Sequence, residues 1–77
     1  MDIQKLTESD KGREVKYRTH GSTEWGRITS WNEHFVFVRY HTRLLDEPNP
    51  VTGHPIIFHR NGCTSEATRP EDLEFCD

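Results

Sequence analysis

The histidines and cysteines are the side chains of this chain that could bind a metal ion. There are five histidines and two cysteines, and His54, His59 and Cys63 lie close together, with His41 or Cys76 as a fourth candidate ligand. Zinc is held by about four nitrogen or sulfur ligands in a tetrahedron. The spacing matches no strong zinc motif, and the cysteines form no CxxC pair. We therefore predict no metal and no cofactor.

Nucleophilic catalysis is the second chemistry to consider, and Cys63 is its candidate residue. His59 precedes Cys63 by four positions. Strand alternation does not ensure that the thiol and the imidazole meet, and neither a third catalytic group nor an oxyanion site is indicated. We therefore predict that the protein is not an enzyme.

Binding through aromatic rings and arginines is the third chemistry, and these residues are concentrated between Trp25 and Tyr40. Exposed rings beside guanidinium groups can stack on unpaired bases, and both residue types are enriched in the hot spots of protein interfaces. Two arginines in the row would repel a methylated cation. The sequence predicts a partner-binding face of six residues: Trp25, Arg27, Trp31, Phe35, Phe37 and Arg39.

The composition of this face depends on the register of one β-hairpin, because residues directly opposite in an antiparallel pair point to the same side. A three-residue loop at 32–34 predicts that Ile28 faces Val38 and that Ser30 faces Val36. Arg27 then lies opposite Arg39, and their repulsion would be relieved by an anion or an acidic partner, or by extension of both side chains into solvent. A two-residue loop would instead mix charge into the valine side. The favoured register gives one apolar side, made of Ile28, Val36, Val38 and Tyr40.

Short strands and turns must position this hairpin. Alternation predicts a first strand at 14–18 that buries Val15 and Tyr17. Capping signals predict a helical turn at 7–10 and another at 70–75. The remaining expected elements are the hairpin at 25–40, a loop at 41–61 that contains a strand at 56–59, a tight turn at Asn61 and Gly62, a strand at 63–67, and Leu73 and Phe75 covering one end of the barrel.

These elements predict one domain over residues 1–77, near the lower size limit for a chain stabilised by a hydrophobic core alone. The expected fold is mainly all-β, a small five-stranded SH3-like antiparallel barrel with short helical turns near both termini. The segment 41–61 is expected to be a long inserted loop, because its prolines and glycine interrupt regular structure.

Four runs of the sequence belong together: GREV at 12–15, WGxIxSxN at 25–32, FVFVRY at 35–40 and ATxPEDL at 67–73. They resemble small hypothetical proteins carried by bacteriophages and prophages. Their expected fold is an SH3-like barrel similar to KOW and Tudor modules. The resemblance implies a host or viral protein as partner, with an inhibitory or counter-defence effect.

The charge distribution limits the partners. The net charge is -3, yet residues 11–43 hold seven basic and three acidic side chains, whereas residues 44–77 hold two basic and seven acidic ones. A general nucleic-acid binder would be more basic. We therefore predict a non-enzymatic module that binds a protein through the six-residue face, with nucleic-acid binding by the same face as the alternative and a homodimer left open.

No signal-like or membrane-spanning apolar run is visible in the sequence. We therefore expect no membrane partner and a cytoplasmic location, which is the host cytoplasm if a phage encodes the protein. Both thiols are expected to be reduced there, with a disulfide between Cys63 and Cys76 as the alternative.

Overall fold

The computed structural model describes residues 1–60 and 64–76. Within these residues the fold is mainly β, with six antiparallel strands in one sheet. The prediction of a mainly β fold is confirmed, although six strands replace the expected five. The strands are β1 (Glu14–Thr19), β2 (Ser22–Trp31), β3 (Val36–Leu45), β4 (Ile57–His59), β5 (Glu66–Thr68) and β6 (Leu73–Phe75).

Strands β2 and β3 form the centre of the sheet, whose order is β4-β3-β2-β1-β6. One edge of β3 pairs with β2, and its other edge pairs with both β5 and β4. Strand β5 pairs with the first half of β3, from Val36 to Val38, and β4 pairs with the second half, from Thr42 to Leu44. The middle of β3 therefore lies beside the gap between β4 and β5.

The hydrophobic core lies on one side of β1, β2 and β3. Its buried residues are those that strand alternation places on a common side, and Met1, Ile3, Leu6 and Tyr17 pack against them. The predicted apolar side of the hairpin and the predicted burial of Val15 are confirmed. The buried apolar residues are Val15, Ile28, Val36, Val38, Tyr40 and Leu73.

The helical elements of the described residues are short 3-10 turns. One covers Glu8–Asp10 at the predicted position, and the amide of Thr7 donates to the Asp10 carboxylate over 2.8 Å. The predicted turn at 70–75 is shorter, because only Pro70–Asp72 is helical and β6 begins at Leu73. All three residues of β6 thereby pair with the second edge of β1, and the alternate residues Leu73 and Phe75 lie in the core or pack against it. A further 3-10 turn covers Ile3–Lys5.

The prediction of a loop over 41–61 is wrong for its first five residues. Strand β3 continues to Leu45, because β4 gives residues 42–44 a second pairing partner. The turn predicted at Asn61 and Gly62 lies outside the described residues, as does the beginning of the strand predicted at 63–67. No helix in the described ranges has the length and apolar character needed to cross a membrane.

Candidate partner-binding face

Two register shifts divide the pairing of β2 with β3. Between them lie three regular pairs, in which Gly26 faces Tyr40, Arg27 faces Arg39, and Ile28 faces Val38. The predicted pairing of the two arginines and of Ile28 with Val38 is therefore confirmed. Beyond Ile28 the register changes, so that Ser30 faces Phe37 and Trp31 faces Val36. The prediction that Ser30 faces Val36 is wrong.

Thr29 is the extra residue of β2 at the second register shift. Its hydroxyl donates to the Phe37 carbonyl over 3.0 Å and shares a hydrogen bond of 2.7 Å with the Ser65 hydroxyl. A hydroxyl at this position therefore ties the irregular part of β2 to both β3 and the segment before β5. Such bulges redirect the side chains that follow them.

The hairpin turn is also different from the predicted three-residue loop. Four residues, 32–35, separate β2 from β3, and the amide of Asn32 donates to the carbonyl of Phe35 over 2.9 Å. The Asn32 side-chain oxygen accepts from the amides of His34 and Phe35, each over 2.8 Å. Asparagine commonly stabilises a turn in this way, because its side chain satisfies nearby backbone donors.

Arg27 and Arg39 lie on the side of the hairpin that faces away from the core. Both side chains are exposed, and Arg27 Nη1 donates to the carbonyl of Gly12 over 2.9 Å. They line a concavity of about 520 Å³, to which His41 and Arg60 also contribute. Four residues with basic side chains therefore surround one groove in the sheet surface.

The carboxylates near this groove have other partners. Glu14 lies opposite Arg27 on β1, but its carboxylate contacts His41 Nε2 at 3.2 Å. In residues 1–60 and 64–76, no carboxylate forms an ion pair with Arg27 or Arg39. Like charges directly opposite each other are destabilising. The groove is therefore suited to an anionic group that bridges the two guanidiniums.

Trp25 and Phe37 flank the arginine pair. Trp25 lies opposite Thr42 and lines a smaller concavity of about 360 Å³ with Leu44 and Ile57. Phe37 lies opposite Ser30 on β2 and opposite Ala67 on β5. Both rings are half-buried, so each offers part of its surface to a partner.

Trp31 and Phe35 do not join this group. Trp31 faces the buried Val36 and packs against the core, because the bulge at Thr29 reverses the alternation of β2. The prediction that it shares the arginine side is wrong. Phe35 belongs to the turn, where it is 39% exposed and lines a different concavity. The predicted face is therefore reduced to four residues, Trp25, Arg27, Phe37 and Arg39, which we call the arginine face.

His41 and Arg60 were not predicted to belong to this surface. His41 is the extra residue of β3 at the first register shift, and the amide of Arg60 donates to the His41 carbonyl over 2.9 Å. The bulge and the approach of the chain after β4 bring both residues to the groove. The sequence predicts neither the bulge at His41 nor the position of Arg60, because both depend on strand pairing and β4 is distant from β3 in sequence.

A metal centre was considered at the histidines and cysteines. In the part of the chain that the structure describes, no group of three or more histidine, cysteine, aspartate or glutamate side chains is arranged to hold a metal ion. Cys63 lies outside the described residues, and so does the alternative disulfide between Cys63 and Cys76. Cys76 itself is exposed.

Comparison with known proteins gives no relative of this chain. No family model matches it, and no curated protein or solved structure matches it either. Its function must therefore be inferred from the chemistry of its own residues, above all from the paired arginines and the groove between the strands.

Proposed function

We propose that the protein is a non-enzymatic binding module whose arginine face engages an acidic surface of a partner protein. The observation that carries this proposal is the direct opposition of Arg27 and Arg39, both exposed, at a groove where neither has a carboxylate partner within the described ranges. A carboxylate of the partner can accept hydrogen bonds from both guanidiniums, and such charge-assisted bonds are stronger than neutral ones. Trp25 and Phe37 add apolar contact area beside the charges.

Nucleic acid is the alternative ligand of the same face. Three arginines and a histidine around one groove favour it. Against it stands the net charge of -3, because the 10 lysines and arginines are outnumbered by 13 acidic side chains and affinity for phosphates depends on several basic contacts. Both flanking rings are also half-buried, which reduces the area on which bases could stack. A protein partner is therefore the better fit.

The fold in this proposal is an SH3-like barrel. The path β5-β3-β2-β1-β6 is a five-strand arrangement whose two end strands are consecutive in sequence. Only Arg69 and the 3-10 turn Pro70–Asp72 connect them. A connection this short keeps β5 and β6 near each other and favours a strongly bent sheet over a flat one. Strand β4 is then an addition along the second half of β3.

The kind of partner follows from the resemblance of the sequence to small phage and prophage proteins. It leads us to propose a host or viral protein, with an inhibitory or counter-defence consequence of binding. Such a consequence would follow if the arginine face covered a functional surface of the partner.

A charge-reversal experiment tests the arginine face. Tagged wild-type protein, an Arg27→Glu/Arg39→Glu variant and an Arg18→Glu control are used to capture partners from host lysate, with and without nuclease. Arg18 is exposed on β1 and lies outside the groove, so its reversal changes one charge without changing the site. Circular dichroism establishes that all three proteins are folded.

The proposal predicts a specific protein that is captured by the wild type and by Arg18→Glu, survives nuclease, and is lost with Arg27→Glu/Arg39→Glu. Capture of that protein by the double variant would contradict the proposal. Recovery of nucleic acid, with steeply decreasing affinity as salt increases, would favour the alternative. If the captured protein is a second copy of this chain, the arginine face is a dimer interface.

A further inference from the structure

The core-facing side of the sheet carries a second concavity, of about 550 Å³, whose chemistry is opposite to that of the arginine groove. Tyr17 and Glu24 face each other across β1 and β2, and Tyr40 lies beside them on β3. Strand β5 contributes Glu66, and the 3-10 turn that follows it contributes Asp72. Aromatic rings and carboxylates are therefore combined at one surface depression.

Glu24 is the most enclosed carboxylate of this site, since its side chain is only 15% exposed. Among the described residues its ion-pair partner is Arg60, whose Nη1 lies 3.5 Å from Glu24 Oε1 and 3.4 Å from Glu66 Oε2. Good guanidinium–carboxylate hydrogen bonds measure about 2.7–2.9 Å. The Arg60 side chain is 48% exposed, so these contacts are long, shared and open to water. Glu24 is therefore enclosed with only a long cation contact, since Arg43, which lies opposite it on β3, forms no ion pair with it among the described residues.

Three aromatic rings surround these carboxylates. The ring centres of Tyr17 and Tyr40 are 6.0 Å apart and tilted by 55°, and Phe35 lies at the exposed rim. The faces of aromatic rings carry partial negative charge and attract cations, especially planar guanidinium groups. Burial, aided by the nearby Glu24 and Glu66 carboxylates and opposed by the hydrogen bond with Thr68, raises the pKa of Tyr40 to about 12. This environment disfavours a second negative charge.

We propose that this acidic concavity binds the guanidinium of an arginine in a basic peptide segment of a partner, which displaces Arg60 from Glu24 and Glu66. The existing contact shows that a guanidinium can reach both carboxylates at once. Arg69 also lines the concavity and reduces its negative charge, but Glu24, Glu66 and Asp72 outnumber it. None of the four residues of the arginine face lines this concavity, although Arg60 also lies at the arginine groove. The concavity takes the opposite charge, so it goes beyond the function proposed above.

The test uses the full chain and two short peptides at constant ionic strength. Both peptides consist of glycine and serine around one central residue, which is arginine in the first and the neutral isostere citrulline in the second. Binding is followed by NMR, through the ring and amide resonances of Tyr17 and Tyr40. We expect saturable shifts with the arginine peptide at millimolar concentration and at least about tenfold weaker binding of the citrulline peptide, because the charged hydrogen bonds are lost.

Three variants locate the interaction. Glu24→Gln should weaken binding of the arginine peptide about tenfold, because it removes the enclosed charge. Arg60→Ala should strengthen it about two- to fivefold, because it removes a competitor held by a weak surface pair. Arg27→Gln/Arg39→Gln, which introduces no carboxylate that could compete for Arg60, should leave it unchanged, and this separates the site from the arginine face. If Glu24→Gln does not fold, Glu66→Gln takes its place, since that side chain is exposed.

Equal binding of the two peptides would overturn the proposal, as would absence of binding at millimolar peptide. Unchanged affinity in the glutamate variant, or shifts confined to Arg27 and Arg39, would also overturn it. Each of these results leaves the capture experiment on the arginine face unaffected.

Discussion

The two sides of the β2–β3 hairpin differ in the burial of their residues and in the contacts that these residues make. On one side Ile28, Val36 and Val38 are at most 1% exposed and form the core. On the other, Arg27 and Arg39 are exposed, and the described structure gives neither an ion pair. Folding is therefore determined by one side of the hairpin, which leaves the other side available for binding. The bulges decide which residues belong to which side.

The largest effect on this comparison is expected at Gly26, where any side chain on β2 would collide with β3. A Cβ atom added there would lie 2.6 Å from the Arg39 carbonyl oxygen and 2.9 Å from the Tyr40 Cα. These are backbone atoms, so the strand pairing itself must move. We expect Gly26→Ala to lower the free energy of unfolding by about 3 kcal/mol, at the upper end for overpacking, measured by urea denaturation.

Gly53→Ala is the matched control for Gly26→Ala. Gly53 has a φ of 72° but nothing within 4 Å of an added Cβ, so it tests conformational strain without a steric clash. We expect a loss of about 1 kcal/mol there. If Gly26→Ala costs no more than Gly53→Ala, the close approach of the two strands is not present in solution.

The two tryptophans sharpen the comparison, because they occur in one strand but lie on opposite sides of it. Trp31 packs against the core, whereas Trp25 lies on the side of Arg27. We expect Trp31→Ala to lower the free energy of unfolding by about 2 kcal/mol, less than a fully buried tryptophan would cost. Trp25→Ala should cost about half as much while weakening partner capture.

Thermal denaturation of the two tryptophan variants distinguishes these roles. Equal losses of stability would mean that the bulge at Thr29 does not redirect Trp31. A stable Trp31→Ala variant that no longer captures the partner would restore Trp31 to the binding face. The pair of substitutions therefore tests the register of the hairpin as well as its function.

The sequence predicted the part of the fold that depends on local alternation. The core positions of the hairpin and the opposition of Arg27 and Arg39 follow from period-two patterning, which neighbouring strands obey. The same reasoning failed beyond Ile28, because a bulge adds one residue and reverses every side chain after it. The sequence does not mark Thr29 as the bulge residue, because one of the hydrogen-bond partners of its hydroxyl, Ser65, is distant in sequence and the other is the Phe37 carbonyl.

The site residues that belong to one hairpin could be predicted from the sequence, and those brought in from other strands could not. Arg27 and Arg39 come from β2 and β3 and were identified from the sequence, whereas Arg60 reaches the groove through the pairing of β4 with β3. The acidic concavity combines Glu24 and Glu66 from strands that are not neighbours in the sheet. Its assembly depends on the pairing of β5 with β3, which joins segments distant in sequence and which residue patterns do not specify.

An effect as small as those of Gly53→Ala and Trp25→Ala is expected at Tyr40, whose hydroxyl and that of Thr68 are 2.6 Å apart. Tyr40→Phe should lower the free energy of unfolding by about 1 kcal/mol near neutral pH, because the Thr68 hydroxyl loses its buried partner. The pKa of Tyr40 is raised by burial to about 12 from an ordinary value of 10.0. Folding therefore favours the protonated phenol. The stability that comes from this raised pKa is complete below pH 10 and is lost as the pH rises from 10 to 12.

Urea denaturation at a series of alkaline pH values measures this loss, and absorbance at the phenolate band follows the ionisation of the tyrosines. Wild type should lose stability relative to Tyr40→Phe between pH 10 and 12, because phenylalanine has no proton to release. Parallel stability curves for the two proteins would show that Tyr40 ionises as freely in the folded chain as in the unfolded one. That result would contradict the inference that Tyr40 is enclosed and lies close to negative charges in the acidic concavity.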